Sequence, residues 1–356
     1  MHRNLKDMLH NRGVLRAFLI VFLFSSAFFL SEEARAQSVL GVSPVNFVVT
    51  PDAPTPGAPV TIQVRGVGDF LGESNITWRL NGGVAKSGIG ERSFTFTAGG
   101  LGVKSTVSVT IESRTEGTIT KTFTFNPSIV NMLWEADTSI PPWFKGKALY
   151  TAGSNIRVLA LPQIVEGGKT VAASTLTFKW SRNGTPLTSQ SGRGFVQVNF
   201  AGDQLKTQEV VSVEVYSGTT LVAKGSVTIP ASNALVVFYE QDPLRGMLYD
   251  RAVLGSYPLS KDEITLQAQP FYFSAASTKD GSLTYNWTLN NQAITGPDSA
   301  RGILTLRQSG AGAGSATVGV ELQNTDESKF LQSAQTVVKM LFGGATQNSF
   351  GSFFGL

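Results

Sequence analysis

Acid–base, nucleophilic and transition-metal chemistry draw first on histidine and cysteine, and this chain is nearly without them. Its two histidines are His2 and His10, and it has no cysteine. Both histidines fall in a segment that reads as a removable leader, so a Ser-His-Asp or Cys-His arrangement would lack its base or its nucleophile. Zinc would lack imidazole and thiolate donors. No Gly-x-Gly-x-x-Gly or Gly-x4-Gly-Lys-Ser/Thr motif opens a helix, which removes the usual backbone cradle for a nucleotide. Carboxylates remain. Glu135 with Asp137, and Glu240 with Asp242, each place two oxygen donors on alternate residues. Calcium takes six to eight oxygens, so these pairs are partial calcium sites at best, and solvated strand edges are the competing reading. A glycoside hydrolase needs only two acids at a set separation, yet the acidic residues are scattered over loops and strand edges. No catalytic residue is assigned, and the expectation is a protein that is not an enzyme.

The other conspicuous side chains are aromatic. Trp143 and Phe144 follow Pro141-Pro142, and Tyr249 sits in a stretch with Pro243, Leu244, Met247 and Leu248. Both stretches, 138–154 and 243–261, are too long for plain turns and too apolar to stand free in water. They read either as packing against the preceding module or as a binding platform for a carbohydrate or another polymer. Phe353 and Phe354 belong to a Phe/Gly-rich tail, 344–356, which reads as an end without a role or as a linear docking motif. No Lys/Arg cluster is interleaved with aromatics, and the formal charge is only +4, so no nucleic-acid partner is expected.

The elements that must position these residues are strands. Arg3, Lys6, Arg12 and Arg16 precede an apolar run from Ala17 to Leu30, and Ala34-Arg35-Ala36 supplies small residues at alternate positions. That order matches an export signal peptide over 1–36, and the apolar run is short of the roughly 20 residues that span a bilayer. Beyond it every apolar run is soon broken, so no transmembrane segment is expected after cleavage. Three segments then repeat one pattern: Ile76-Thr77-Trp78-Arg79-Leu80-Asn81-Gly82, Leu176 to Gly184 around Trp180, and Leu283 to Asn291 around Trp287. Period-two spacing puts each tryptophan on an apolar strand face, and the Asn-Gly or Asn-Asn that follows tolerates a tight turn. A valine-alternating strand follows each at Val107 to Ile111, Val211 to Val215 and Val318 to Leu322. The period is about 105 residues, the signature of an internal repeat. Met132 to Asp137 and Val237 to Asp242 share an opening motif at the same spacing. Gly310 to Gly314 reads as a hairpin loop.

Short alternating strands with one buried tryptophan per unit predict an all-β chain of three two-sheet sandwiches. Its units run over 37–131, 132–234 and 235–343. With no disulfide available, Trp78, Trp180 and Trp287 are the expected centres of three independent cores. The Trp-x-x-Asn-Gly strand end and the valine strand that follows resemble bacterial immunoglobulin-like and PKD-like surface modules. That resemblance implies an exported, cell-surface, periplasmic or extracellular protein. Its role would be a non-catalytic structural or adhesive spacer facing an envelope protein or polymer. The alternative is a carbohydrate- or polymer-binding surface protein.

Overall fold

The computed structural model describes residues 44–66, 69–259, 261–275, 280–310 and 312–343. The leader and the tail with Phe353 and Phe354 lie outside the described residues.

Alternation builds three β-sandwiches in chain order. In the first, strands Val45–Thr50, Pro59–Gly66 and Ser93–Thr97 form one sheet. Gly83–Ile89, Asn75–Leu80, Ser105–Ser113 and Gly117–Phe125 form the other. The second pairs Ile129–Ala136, Asn155–Gln163 and Gln197–Ala201 in one sheet. Thr177–Arg182, Gln208–Ser217 and Thr220–Pro230 make the opposite one, extended by two-residue strands. The third sets Gly246–Val253, Leu235–Asp242, Glu263–Phe271 and Ile303–Arg307 against a five-stranded sheet. That sheet runs Gly255–Pro258, Ser333–Phe342, Gly314–Asn324, Leu283–Leu289 and Gln292–Ile294, with Gly255–Pro258 lying parallel to its neighbour.

Each sandwich has its own core. Trp78, Trp180 and Trp287 are at most 1% exposed and belong to three separate apolar clusters. A buried indole N–H needs an acceptor, and each finds a backbone carbonyl: Glu91 at 2.8 Å, Phe195 at 2.7 Å and Ser299 at 3.1 Å. The turns after these strands are equally alike. Asn81, Asn183 and Asn290 hold φ near +50°, followed by Gly82, Gly184 and Asn291, also at positive φ. This is the backbone that two-residue hairpins prefer. In all three, the asparagine Oδ1 accepts from a backbone N–H near the start of the valine strand, that of Thr106, Val210 or Thr317, at 2.9 Å.

Several details differ from the sequence reading. The second sandwich opens at Ile129 rather than 132, and Ala234 already packs in the third core. Gly310 to Gly314 joins strands of opposite sheets and is no hairpin. The two long stretches look alike in composition but not in form. Residues 138–154 contain no strand, whereas 246–253 and 255–258 are strands that enter the two sheets of the third module.

Candidate functional site at the junction of modules two and three

The shared opening motif does not keep its orientation. Trp134 pairs with Val158, and both face the second core. In the third module Phe238 faces the core opposite Ala268, so Tyr239 points outward and Glu240 inward. Trp134 and Tyr239 stand an odd number of positions apart, while the inward partners Val158 and Leu266 stand an even number apart. A strand shifted by one residue presents its other face.

The outward Tyr239 floors an aromatic cluster that receives stretch 138–154 from module two. The stretch therefore packs on the following module, where the sequence reading had it on the preceding one. Trp143 lies 5.3 Å from Tyr239, 4.6 Å from Tyr249 at 31° between planes, and 6.2 Å from Phe271, centroid to centroid. Phe144 meets Phe271 edge-on at 5.4 Å. Backbone bonds stitch the contact: Ser139 N–H donates to the Phe273 carbonyl at 2.7 Å and Tyr272 N–H to the Ser139 carbonyl at 2.8 Å. Thr151 Oγ1 donates to the Tyr272 carbonyl at 2.8 Å, and Gln332 Nε2 to the Ala152 carbonyl at 3.0 Å. Gly153 approaches closely, since a Cβ there would stand 2.4 Å from the Ser328 carbonyl oxygen. Trp143 and Phe144 are thus half-buried between modules. Tyr249, 40% exposed, is the ring of this set that faces solvent most.

The four acidic candidates separate. Glu135 is on the outer face, paired with Arg157 at 2.8 Å, and Asp137 beside it is exposed. Glu240 and Asp242 are buried at the end of the third sandwich. Lys261 Nζ lies 2.8 Å from Asp242 and 3.4 Å from Glu240, and Tyr257 Oη donates to Glu240 at 2.8 Å. Asp242 also accepts from the N–H groups of Leu244 and Arg245. The Lys261 bond, followed by these backbone bonds, holds the Asp242 carboxyl well below its ordinary range. The geometry leads away from calcium, because lysine and arginine already occupy the carboxylate oxygens of the inward pair. Among the described residues no group of three or more His, Cys, Asp or Glu could hold a metal ion.

A buried carboxylate that sequence reasoning missed is Glu209, fully buried in module two. It accepts from Arg182 Nε at 2.9 Å and Nη2 at 2.5 Å, from Asn183 Nδ2 at 2.6 Å and from Asp203 N–H at 2.9 Å. Burial pushes its pKa up, but the bonds from Arg182, Asp203 and Asn183 outweigh that and bring it down to about 2. The signal was there: Glu209 shares strand parity with Val211, Val213 and Val215, as Arg182 does with Trp180.

The outer face of module two carries a shallow concavity of about 660 Å³ lined by Glu135, Asp137, Arg157 and Asn199. Its two carboxylates sit on one side, at alternate residues, and Glu135 is engaged by Arg157. That is not the facing pair on opposite walls that glycoside hydrolysis uses. Nearby, Lys147 Nζ sits 3.1 Å over the Trp134 ring, a cation–π contact. Burial pulls the Lys147 ammonium down, with Glu135 acting the other way.

The chain is a tandem array of immunoglobulin-like β-sandwiches. Among the described residues no helix is long and apolar enough to cross a membrane. No family model matches the chain, and no curated protein matches it. Solved structures align loosely. The three N-terminal domains of the Highly Immunogenic Outer Capsid protein of bacteriophage RB49 share 14% identity. The match covers 83% of this chain and 97% of that one, at a TM-score of 0.23. The fibronectin(III)-like modules of Clostridium thermocellum CbhA share 12%, covering 52% and 94%, at 0.26. SGBP-B of the Bacteroides ovatus mixed-linkage glucan utilization locus, solved with a mixed-linkage heptasaccharide, shares 10%, covering 83% and 70%, at 0.23. Overlaps this low carry no argument about ligand or role.

Proposed function

We propose that the chain is an exported, non-catalytic spacer of the bacterial envelope, whose three sandwiches hold a partner at a set distance from the membrane. The module boundaries of this reading lie near 131, 234 and 343. The observation that supports it best is the junction of modules two and three, where side chains that could have formed a binding platform are instead packed between modules and backbone bonds cross the boundary. A spacer gains from such stiffness, since its reach depends on holding an angle. The polymer-binding alternative keeps a single well-exposed ring at this site, Tyr249, without a coplanar exposed partner to stack a second sugar.

Cell fractionation and deletion of residues 345–356 test the proposal together. The chain is expected in the envelope or extracellular fraction, and the shortened chain is expected to fold with an unchanged melting temperature but to leave the envelope fraction. Recovery of the whole chain in the cytoplasm refutes export. Unaltered localisation of the shortened chain refutes the role of Phe353 and Phe354 in docking.

A further inference from the structure

We infer that modules two and three form one cooperative folding unit, with module one a separate unit, and that Tyr272 is the residue through which the two are coupled. Tyr272 holds φ at +65°, and the other non-glycine residues at positive φ among those described are turn asparagines. A bulky side chain rarely takes this backbone unless its surroundings hold it there. What holds it is module two: the Tyr272 N–H donates to the Ser139 carbonyl, and the Tyr272 carbonyl accepts from Thr151. The next residue, Phe273, is fully buried in the third core while its carbonyl accepts from Ser139. The chain thus passes from a junction bond into the core of module three within one residue.

The coupling acts in both directions. Unfolding module two alone would strip Tyr272 of both backbone partners and uncover Tyr239, Phe271 and Tyr272, all under 10% exposed. Unfolding module three alone would leave Trp143 and Phe144 without the rings they pack on. The Trp143 Nε1 and the Ser139 Oγ are buried at the same junction with no hydrogen-bond partner, a cost of the closed contact that the ring packing and the backbone bonds offset.

The junction of modules one and two differs in kind. It is held by Asn126 Nδ2 donating to the Val165 carbonyl at 2.7 Å, by a close approach of Gly102, where a Cβ would stand 2.6 Å from the Val165 Cβ, and by Lys224 with Asp52 at 2.8 Å, an ion pair about half exposed. Among the described residues no aromatic pair bridges it. A screened surface ion pair, one hydrogen bond and one glycine contact couple modules more weakly than a cluster of packed rings with several crossing bonds.

Native-state hydrogen exchange of the full chain at increasing denaturant, read by mass spectrometry, tests this directly. Peptides covering 211–215 and 318–322 should open at the same denaturant concentration with the same slope. That slope should be roughly twice the one for 107–111, since it scales with the surface exposed on opening. Thr151→Val, which deletes one junction bond and leaves both cores intact, should shift the 211–215 and 318–322 peptides together and leave 107–111 in place. Gly153→Val, which drives a side chain against the Ser328 carbonyl, should split the shared opening into two with about half the slope each. Separate openings of 211–215 and 318–322 in the unmodified chain overturn the inference. So does one opening common to all three modules, or a Thr151→Val shift confined to one peptide. If the Gly153 variant does not fold, the Thr151 result decides alone.

Discussion

Arg182→Met asks how much of module two rests on one buried carboxylate. Four donors converge on Glu209, and Arg182 supplies two of them while its guanidinium also reaches the Ala201 carbonyl and stacks 4.5 Å from the Phe200 centroid. Methionine keeps an unbranched apolar side chain and removes the charge, which leaves Glu209 buried against only Asn183 and the Asp203 N–H. Breaking a buried pair by removing one partner costs about 3–5 kcal/mol. Arg182 is itself 22% exposed, so the lower end, about 3 kcal/mol, is expected at neutral pH. In a unit of this size that lowers the melting temperature by on the order of 10 °C. The sign of the pH dependence follows from the direction of the shift. Glu209 is depressed from 4.5 to about 2, so its stabilisation is fully present above 4.5 and is lost as pH falls toward 2. The gap between parent and Arg182→Met, measured by urea unfolding, should therefore narrow steadily across that window. A gap below about 1 kcal/mol at neutral pH, or one that stays constant from pH 6 to pH 2.5, would refute the argument.

Truncating Trp78, Trp180 or Trp287 to Ala should each cost about 3–5 kcal/mol; hydrogen exchange should place the Trp78 loss in 107–111 alone, and a loss spread over all three modules would contradict separate cores. Calcium should change neither the melting temperature nor the small-angle scattering profile, because Lys261, Arg245 and Arg251 already pair with Glu240 and Asp242; stiffening that appears only with Ca²⁺ would restore the calcium reading.

Much of the fold could be read in the sequence because period-two alternation is a local property. The faces of Ile76, Trp78 and Leu80, and the positive φ at Asn81 and Gly82, depend on neighbours a few residues away. The orientation of the opening strands does not. Trp134-Glu135-Ala136-Asp137 and Tyr239-Glu240-Gln241-Asp242 resemble each other in composition, but the face that each residue takes is decided by pairing with Asn155–Gln163 or Glu263–Phe271. No local pattern records that pairing. The parity of Glu209 with the core valines was legible and would have marked it as inward. Its partner Arg182 shares parity with Trp180, but nothing local in the sequence pairs it with Glu209, and only the fold brings the two together.

The one-residue difference in register has two consequences that belong together. By turning Tyr239 outward it supplies the floor on which Trp143 and Phe144 land, and so creates the junction of modules two and three. By the same rotation it turns Glu240 and Asp242 inward, into a position where an unpaired carboxylate would be strongly disfavoured. Lys261, Tyr257 and Arg251 meet that demand, and Tyr257 comes from the short parallel strand Gly255–Pro258 that distinguishes this module from the second. Stretch 243–261 is therefore long for a reason other than ligand binding. It must carry a hairpin strand, cross to the opposite sheet and bring cationic and phenolic partners back to two buried acids. The corresponding stretch in module two faces no such demand, since Glu135 and Asp137 remain in solvent, and it is free to serve as the strap that reaches module three.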